Sequence, residues 1–328
     1  MKKLFIIGNG FDCYAHRYKN GEPMKTKYSD FRDYIVAQYP DVKFKHGVPE
    51  VALTYDHHDY DYDDDEIIGY IIQVLDDCQG EKWSTLEEAI GTDIFSVFSY
   101  EFLDVDIDEE KDNEIFRLIN ANQSISIDIE NAFLKLKELF EEWVSKSLGA
   151  IDYSCIEKNN GFEEVLVGNP DVDKNGDIAR IYLTFNYTET LEKVYGIDIK
   201  KVTHIHGKVG KEIYFGHGNT RPIDSIGAWG AEDSLESIRK CFLKDTNRAI
   251  ITNSEFFSKL GDVTEIYSYG FSFSEVDMVY INEICQNIIP QNVTWYFNSY
   301  DTEHNTNLLE LIKNKGFCVK TECRWDNR

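Results

Sequence analysis

The chain has 328 residues and sets 34 Lys+Arg against 59 Asp+Glu, a formal net charge of −25. Binding a polyphosphate or an anionic lipid surface requires a basic face that releases counterions, so this excess excludes generic adhesion to nucleic acid or membrane. With 42% hydrophobic and 14% aromatic residues the chain can fill a core, unlike a disordered polyelectrolyte, and its length fits one large domain with insertions or two domains.

Seven cysteines, an odd number, are spread along the chain without a close C-x-x-C pair, which argues against a disulfide framework or a structural zinc site. No metal is expected. The apolar run after Lys2 and Lys3 stops at Gly8, too short for a signal segment or a span, so a cytoplasmic location is the expectation.

In chain order, residues 4–7 form a short apolar, β-branched run ending in Gly8-Asn9-Gly10, the pattern of a strand buried on both faces and closed by a tight turn. Residues 28–39 carry Phe31, Tyr34, Ile35 and Val36 at helical spacing after Ser29, which could cap them. Helical patterns follow at residues 67–75, 86–90 and 125–144. Acidic runs at residues 59–66 and 104–114 interrupt them; the first lacks the Gly and terminal Glu of a calcium loop, and a solvated loop is the simpler reading.

Beyond residue 150 the pattern alternates. Strands are expected at 179–185, 202–206, 213–215, 265–269, 293–297 and 317–321, and helices at 188–195, 233–242, 274–288 and 302–314. This alternation predicts an α/β fold, a doubly wound, mostly parallel, Rossmann-like sheet built from residues 1–30 and 150–328, with residues 31–149 a large, mainly helical insertion.

In such a sheet ligands bind beyond the carboxyl ends of the strands, so four turns are of interest. In Gly8-Asn9-Gly10-Phe11-Asp12 two glycines permit close backbone approach to a pyrophosphate, or merely a tight turn; the third glycine of the dinucleotide fingerprint is missing at Cys13. In Thr184-Phe185-Asn186-Tyr187-Thr188, Asn186 is either a helix cap with Glu189 as its capping-box partner, or a carboxamide facing an amide ligand. In His204-Ile205-His206-Gly207, strand alternation puts both histidines on one face, with His206 the more accessible. Finally, Gly270, Ser272 and Ser274 precede Asp277 at a helix start, a phosphate- or ribose-binding turn or a simple capping box.

The order of motifs, G-N-G-F-D at 8–12, Thr26-x-Tyr28-x-x-Phe31, Trp83-x-x-Leu86-Glu87, F-N-Y-T-x-T-L-E at 185–192, H-I-H-G at 204–207 and Y-G-F-S-F-x-E-x-D at 269–277, resembles the bacterial AbiH family of phage abortive-infection proteins over most of the chain. The sheet half also resembles, more distantly, the SIR2-like fold, whose turns surround NAD. That resemblance implies Gly8 and Gly10 at the cofactor phosphates, Asn186 at the nicotinamide-ribose end, His206 as base, and Gly270 with Ser272 on the adenosine side. Asn9, Thr184, Gly207 and Asp277 complete the expected cofactor-binding set. Asp12 stands where SIR2-type proteins usually carry Ser; it could stabilise a cation, or serve only the helix dipole. Without paired cysteines a deacylase zinc module is absent, which turns the expectation to an NAD hydrolase that cleaves the nicotinamide–ribose bond. The alternative is a non-catalytic module that senses a nucleotide or a phage component. Expected partners are a dinucleotide, a phage-derived trigger or partner protein and a second copy of the chain.

Overall fold

The apolar run near the N-terminus forms β1 (Lys2–Ile7), whose residues from Leu4 to Ile7 are completely buried. The computed structural model describes the whole chain except residues 1, 41, 43–46, 54–59, 104–111, 169–179, 222–228, 299–300, 303–305 and 322–328. The chain divides into two units: Met1–Thr26, Val144–Tyr214 and Asp245–Arg328 make one, and Lys27–Trp143 with Phe215–Lys244 makes the other.

In the first unit β1 pairs in parallel with β2 (Arg180–Thr184) on one side and β4 (Val263–Tyr269) on the other. The ladder continues from β2 to β3 (Val202–His204), and from β4 to β5 (Thr294–Phe297) and β6 (Cys318–Thr321). Among the described residues the order is β3-β2-β1-β4-β5-β6, all parallel. The chain winds outward to one edge, returns, and winds to the other, so the direction reverses between β1 and β4.

Alternation along the strands sorts their side chains into two cores. Leu4, Ile6, Leu183, Ile266 and Trp295 pack with Phe257, Tyr280, Ile284 and Ile312 of the helices Ser254–Ser258, Met278–Asn287 and Thr306–Asn314. On the opposite face Phe5, Ile7, Tyr182 and Tyr267 pack with Phe162 and Leu166 of Asn160–Leu166 and Leu191 and Tyr195 of Thr190–Tyr195. Each such fully buried side chain contributes roughly 1.5–3 kcal/mol relative to exposure. An aromatic row crosses four strands here: Phe5 stacks on Tyr182 and on Tyr267 with ring centroids 5.1 Å apart, Tyr267 stacks on Tyr296 at 4.7 Å, and the Lys320 ammonium lies 6.0 Å from the Tyr296 ring.

The second unit is mainly helical, with Tyr28–Gln38, Asp64–Gln79, Leu86–Gly91, Asp93–Phe98, Glu232–Cys241 and the 32-residue helix Asp112–Trp143. Its core centres on Phe31, Trp83, Phe133 and Phe140. Polar braces tie the helices together. Asp76 accepts two bonds from Arg32, at 2.9 and 2.6 Å, and one from the Trp83 indole at 2.8 Å. The buried Lys244 ammonium meets Glu87 at 2.9 Å.

Several local expectations are corrected. The helix Tyr28–Gln38 is capped not by Ser29 but by Asp30, whose carboxylate accepts the Lys27 N–H at 2.8 Å. Residues 213–215 form no strand; the Tyr214 N–H pairs with the His206 carbonyl in a loop instead, and Gly216 turns the chain at φ 136°. β3 ends at His204, which leaves His206 in the turn beyond it rather than on the strand. Short helices at Asn160–Leu166, Thr246–Thr252 and Ser254–Ser258 were not expected. Of the second acidic run, residues 104–111 lie outside the described residues. Among the described residues no helix is long and apolar enough to cross a membrane.

Candidate functional site

The turns after β1 and β4 are laced together at the reversal point. The Gly8 N–H donates to the Tyr269 carbonyl at 3.0 Å and the Gly10 N–H to the Gly270 carbonyl at 3.1 Å. Glycine is required by this approach: a Cβ on Gly8 would stand 2.3 Å from the Gly270 oxygen, and one on Gly10 would stand 2.6 Å from the Gly270 Cα. The Phe11 and Asp12 amides donate to the carbonyls of Gly8 and Asn9, at 3.0 Å each. Four amides of the first turn are therefore engaged within the fold, and the helix that follows, Gly10–Cys13, is a single turn. Asn9 is exposed and donates its amide to the Thr26 carbonyl at 2.7 Å.

Asp12 projects beneath this turn and is completely buried. Its Oδ2 accepts from Asn186 Nδ2 at 3.0 Å and from the Thr188 hydroxyl, and the Thr190 hydroxyl donates to that of Thr188 at 3.3 Å. A carboxylate requires donors, which fixes the Asn186 amide with its nitrogen toward Asp12. Asp12 Oδ1 and Asn186 Oδ1 are buried without a hydrogen-bond partner. Burial pushes the Asp12 carboxyl up from 3.8 to about 6, against the pull of Thr188, Thr190, Asn186 and His204. Thr184 anchors the group from below, its hydroxyl accepting the Asn186 N–H at 3.1 Å.

His204 is engaged at both ring nitrogens. Nδ1 donates to the Asn186 carbonyl at 3.0 Å, and Nε2 lies 2.8 Å from Glu192 Oε1. Lys208 stands 3.9 Å from Glu192 and 2.5 Å from Glu189, where it holds the Glu189 carboxyl below its usual range. The ring that the sequence offered as a second functional histidine thus has no nitrogen left for a substrate proton; it positions the Asn186 backbone.

His206 belongs to a neighbouring group. Its Nε2 lies 3.0 Å from Asp277 Oδ1, off the line that a good hydrogen bond requires. Its ring meets Phe185 edge-on at 4.9 Å and lies 5.7 Å from that of Tyr280. Asp277 is oriented by the Ser274 hydroxyl, 3.0 Å away. Gly207 turns the chain at φ 80°, where a Cβ would stand 1.8 Å from the Glu212 oxygen. In the turn after β4, Gly270 has φ 62° and Phe273 φ 54°, a left-handed conformation that costs a non-glycine residue roughly 1–3 kcal/mol. Exposed Ser272 lies in this turn, its hydroxyl 3.4 Å from the Ser274 amide.

The structure therefore joins Asp12, Asn186 and Thr184 directly, and pairs His206 with Asp277, without a hydrogen bond between Asn186 and His206. Phe185 bridges the groups, meeting His206 edge-on and lying tilted against Phe271 at 4.3 Å. Asn186 is not the expected helix cap: the helix starts at Thr190 and Glu189 turns to Lys208. Thr188, Thr190 and Glu192 were missed as site residues, although their spacing in N-Y-T-E-T-L-E, every second residue, was available as a signal. Among the described residues no group of three or more His, Cys, Asp or Glu is arranged to hold a metal ion.

No curated protein matches the chain. Residues 4–299, which contain every site residue above, match the family model for bacteriophage abortive infection, and the chain belongs to the AbiH family of abortive-infection proteins.

Proposed function

We propose that this abortive-infection protein binds NAD or a closely related dinucleotide at the carboxyl edge of β1, β2 and β4 and cleaves its nicotinamide–ribose bond. The observation that carries the reading is the buried Asp12–Asn186 pair, whose two unpartnered oxygens lie beside the reversal point of a 3-2-1-4-5-6 sheet. Two desolvated acceptors match a ligand rich in donors, such as ribose hydroxyls or a carboxamide. The resemblance of the sheet half to SIR2-like proteins supports the same ligand class.

In this reading the bond's electron pair leaves with nicotinamide, positive charge develops on the ribose, and water adds to the anomeric carbon. Asp12, deprived of solvent and held through Oδ2 by Asn186 and Thr188, presents Oδ1 to that charge, where a fixed anion is worth far more than in water. Asn186 orients the carboxamide or the water. His206, backed by Asp277, takes the proton from water or a ribose hydroxyl. Gly270 and Ser272 receive the adenosine side. The site acts in the cytoplasm, with a phage component as the trigger.

A second reading, a sensor that binds the dinucleotide without turning it over, is favoured by the engaged amides of the first turn and by the lack of a hydrogen bond between His206 and Asn186. Nicotinamide release from NAD, together with calorimetric binding, separates the two. The enzyme reading expects release that falls roughly 10²–10³-fold in Asp12→Asn, the loss of an electrostatic stabiliser. Equal release by wild type and His206→Ala removes His206 as the base. Binding without release selects the sensor, and neither binding nor release overturns both readings.

A further inference from the structure

The long helix Asp112–Trp143 carries an apolar stripe on its solvent side. Phe116 is 66% exposed, and Ile127 and Leu134 are also exposed. Their spacings of 11 and 7 residues bring the three side chains to within roughly 20° of one another around the helix axis. Two loops of the same unit add to the stripe on one flank. The Leu103 amide donates to Asn122 Oδ1 at 2.9 Å, and Gly230, at φ 99°, lies so close that a Cβ there would stand 2.4 Å from the Ile119 oxygen. These contacts bring Leu103 and Trp229, each about half exposed, to the first three turns of the helix, with Tyr100, 88% exposed, three residues before Leu103.

A soluble surface rarely gathers large apolar side chains in this way unless something covers them. Tyr, Trp and Phe are the residues enriched at protein interfaces, and Phe116, Trp229 and Tyr100 are the natural anchors. The surrounding charge says what kind of partner fits. At spacings that share a helix face, Glu130 follows Ile127 by three residues, and exposed Glu138 and Glu141 follow Leu134 by four and seven, while Arg117 and Lys135, one residue from Phe116 and Leu134, point aside. A second copy of a chain with net charge −25 would meet like charge here, whereas a basic segment would meet opposite charge at Glu130, Glu138 and Glu141.

We propose that this face of the helical unit docks a basic protein segment with apolar anchors, and that the partner is recognised by Phe116, Ile127 and Trp229 within an acidic rim. The proposal is independent of the reading given for the sheet edge. It is tested with two probes on the full chain: an amphipathic Leu/Lys helical peptide, and polylysine of equal charge. Calorimetry is run on the wild type and on a Phe116→Ser/Ile127→Ser/Trp229→Ser variant whose fold is checked by circular dichroism. The expected result is that the variant loses at least tenfold in affinity for the Leu/Lys peptide but not for polylysine. Equal peptide affinity in both proteins, or no binding by the wild type, overturns the proposal. So does concentration-dependent self-association, by sedimentation, that the wild type shows and the variant lacks, because the occupant is then a second copy.

Discussion

Asp12 and His16, four residues apart and both buried, titrate with opposite effect on stability. His16 donates from Nδ1 to the Phe11 carbonyl at 2.6 Å and accepts the Tyr195 hydroxyl at Nε2, 2.7 Å away; burial lowers its pKa from 6.5 to about 4. The unfolded chain takes up that proton first, so His16 costs stability as the pH falls from about 6.5 to about 4. The Asp12 carboxyl is raised to about 6, so the native state binds its proton first and gains stability as the pH falls from about 6 to 3.8. The two terms oppose each other over the same window. Asp12→Asn removes one of them, and on acidification from about pH 7 to pH 4.5 the variant is expected to lose about 2 kcal/mol more than wild type in urea unfolding. Equal losses would mean that Asp12 is not held in its raised state. The buried network was not legible in the sequence, where Asp12 read as a cation stabiliser or as a helix-start acid; its partners Asn186 and Thr188 come from a strand end more than 170 residues away.

Elements were legible in proportion to their length and periodicity. β1 is an apolar run and β2 and the end of β4 are β-branched or aromatic runs buried on both faces, β5 alternates buried Trp295 and Phe297 with half-buried Thr294 and Tyr296, and the helices of the second unit repeat at helical spacing, so their existence followed from pattern. The helix Thr246–Thr252 spans 7 residues and is announced only by Asp245, whose carboxylate accepts the Arg248 amide at 2.9 Å; a segment that short has no period to read. Residues 213–215 failed as a strand because propensity is a weak guide where no neighbouring strand offers a ladder. The G-N-G turn was legible, and what the sequence did not show is that its glycines admit the backbone of the turn after β4. Gly8→Ala is accordingly expected to destabilise the fold by about 3 kcal/mol, the upper end for overpacking, because carbonyl backbone cannot step aside. Gly261→Ala is the control, with its nearest neighbour 4.0 Å from a new Cβ, and should change the urea midpoint by less than about 0.5 kcal/mol. If the two variants unfold alike, the close approach of the turns is not what keeps Gly8 a glycine.

At the scale of the molecule, 59 acidic against 34 basic side chains leave carboxylates without cationic partners, so self-repulsion acts against the folded state. Pairs such as Lys259–Glu255 are exposed and contribute little. Raising ionic strength from about 0.01 M to 0.15 M shortens the screening length from about 30 to 8 Å, and the unfolding temperature is expected to rise with it. A fall would show that exposed ion pairs outweigh the repulsion.

The aromatic row across the sheet bears on how this fold chooses its strand pairing. Alternation between a wet and a dry face normally sets register, since slipping a strand by one residue exposes its apolar side. Around β1 that information is missing, because the side chains of Leu4 to Ile7 are apolar on both faces and a slipped strand would be nearly as oily as a correct one. Ring size distinguishes the two alignments. Tyr182, Phe5, Tyr267 and Tyr296 occupy matched positions on four neighbouring strands, so a slip of β1 would place Leu4 or Ile6 between the rings of Tyr182 and Tyr267. Matched ring shape thus supplies, at the centre of this sheet, the alignment that polarity supplies elsewhere.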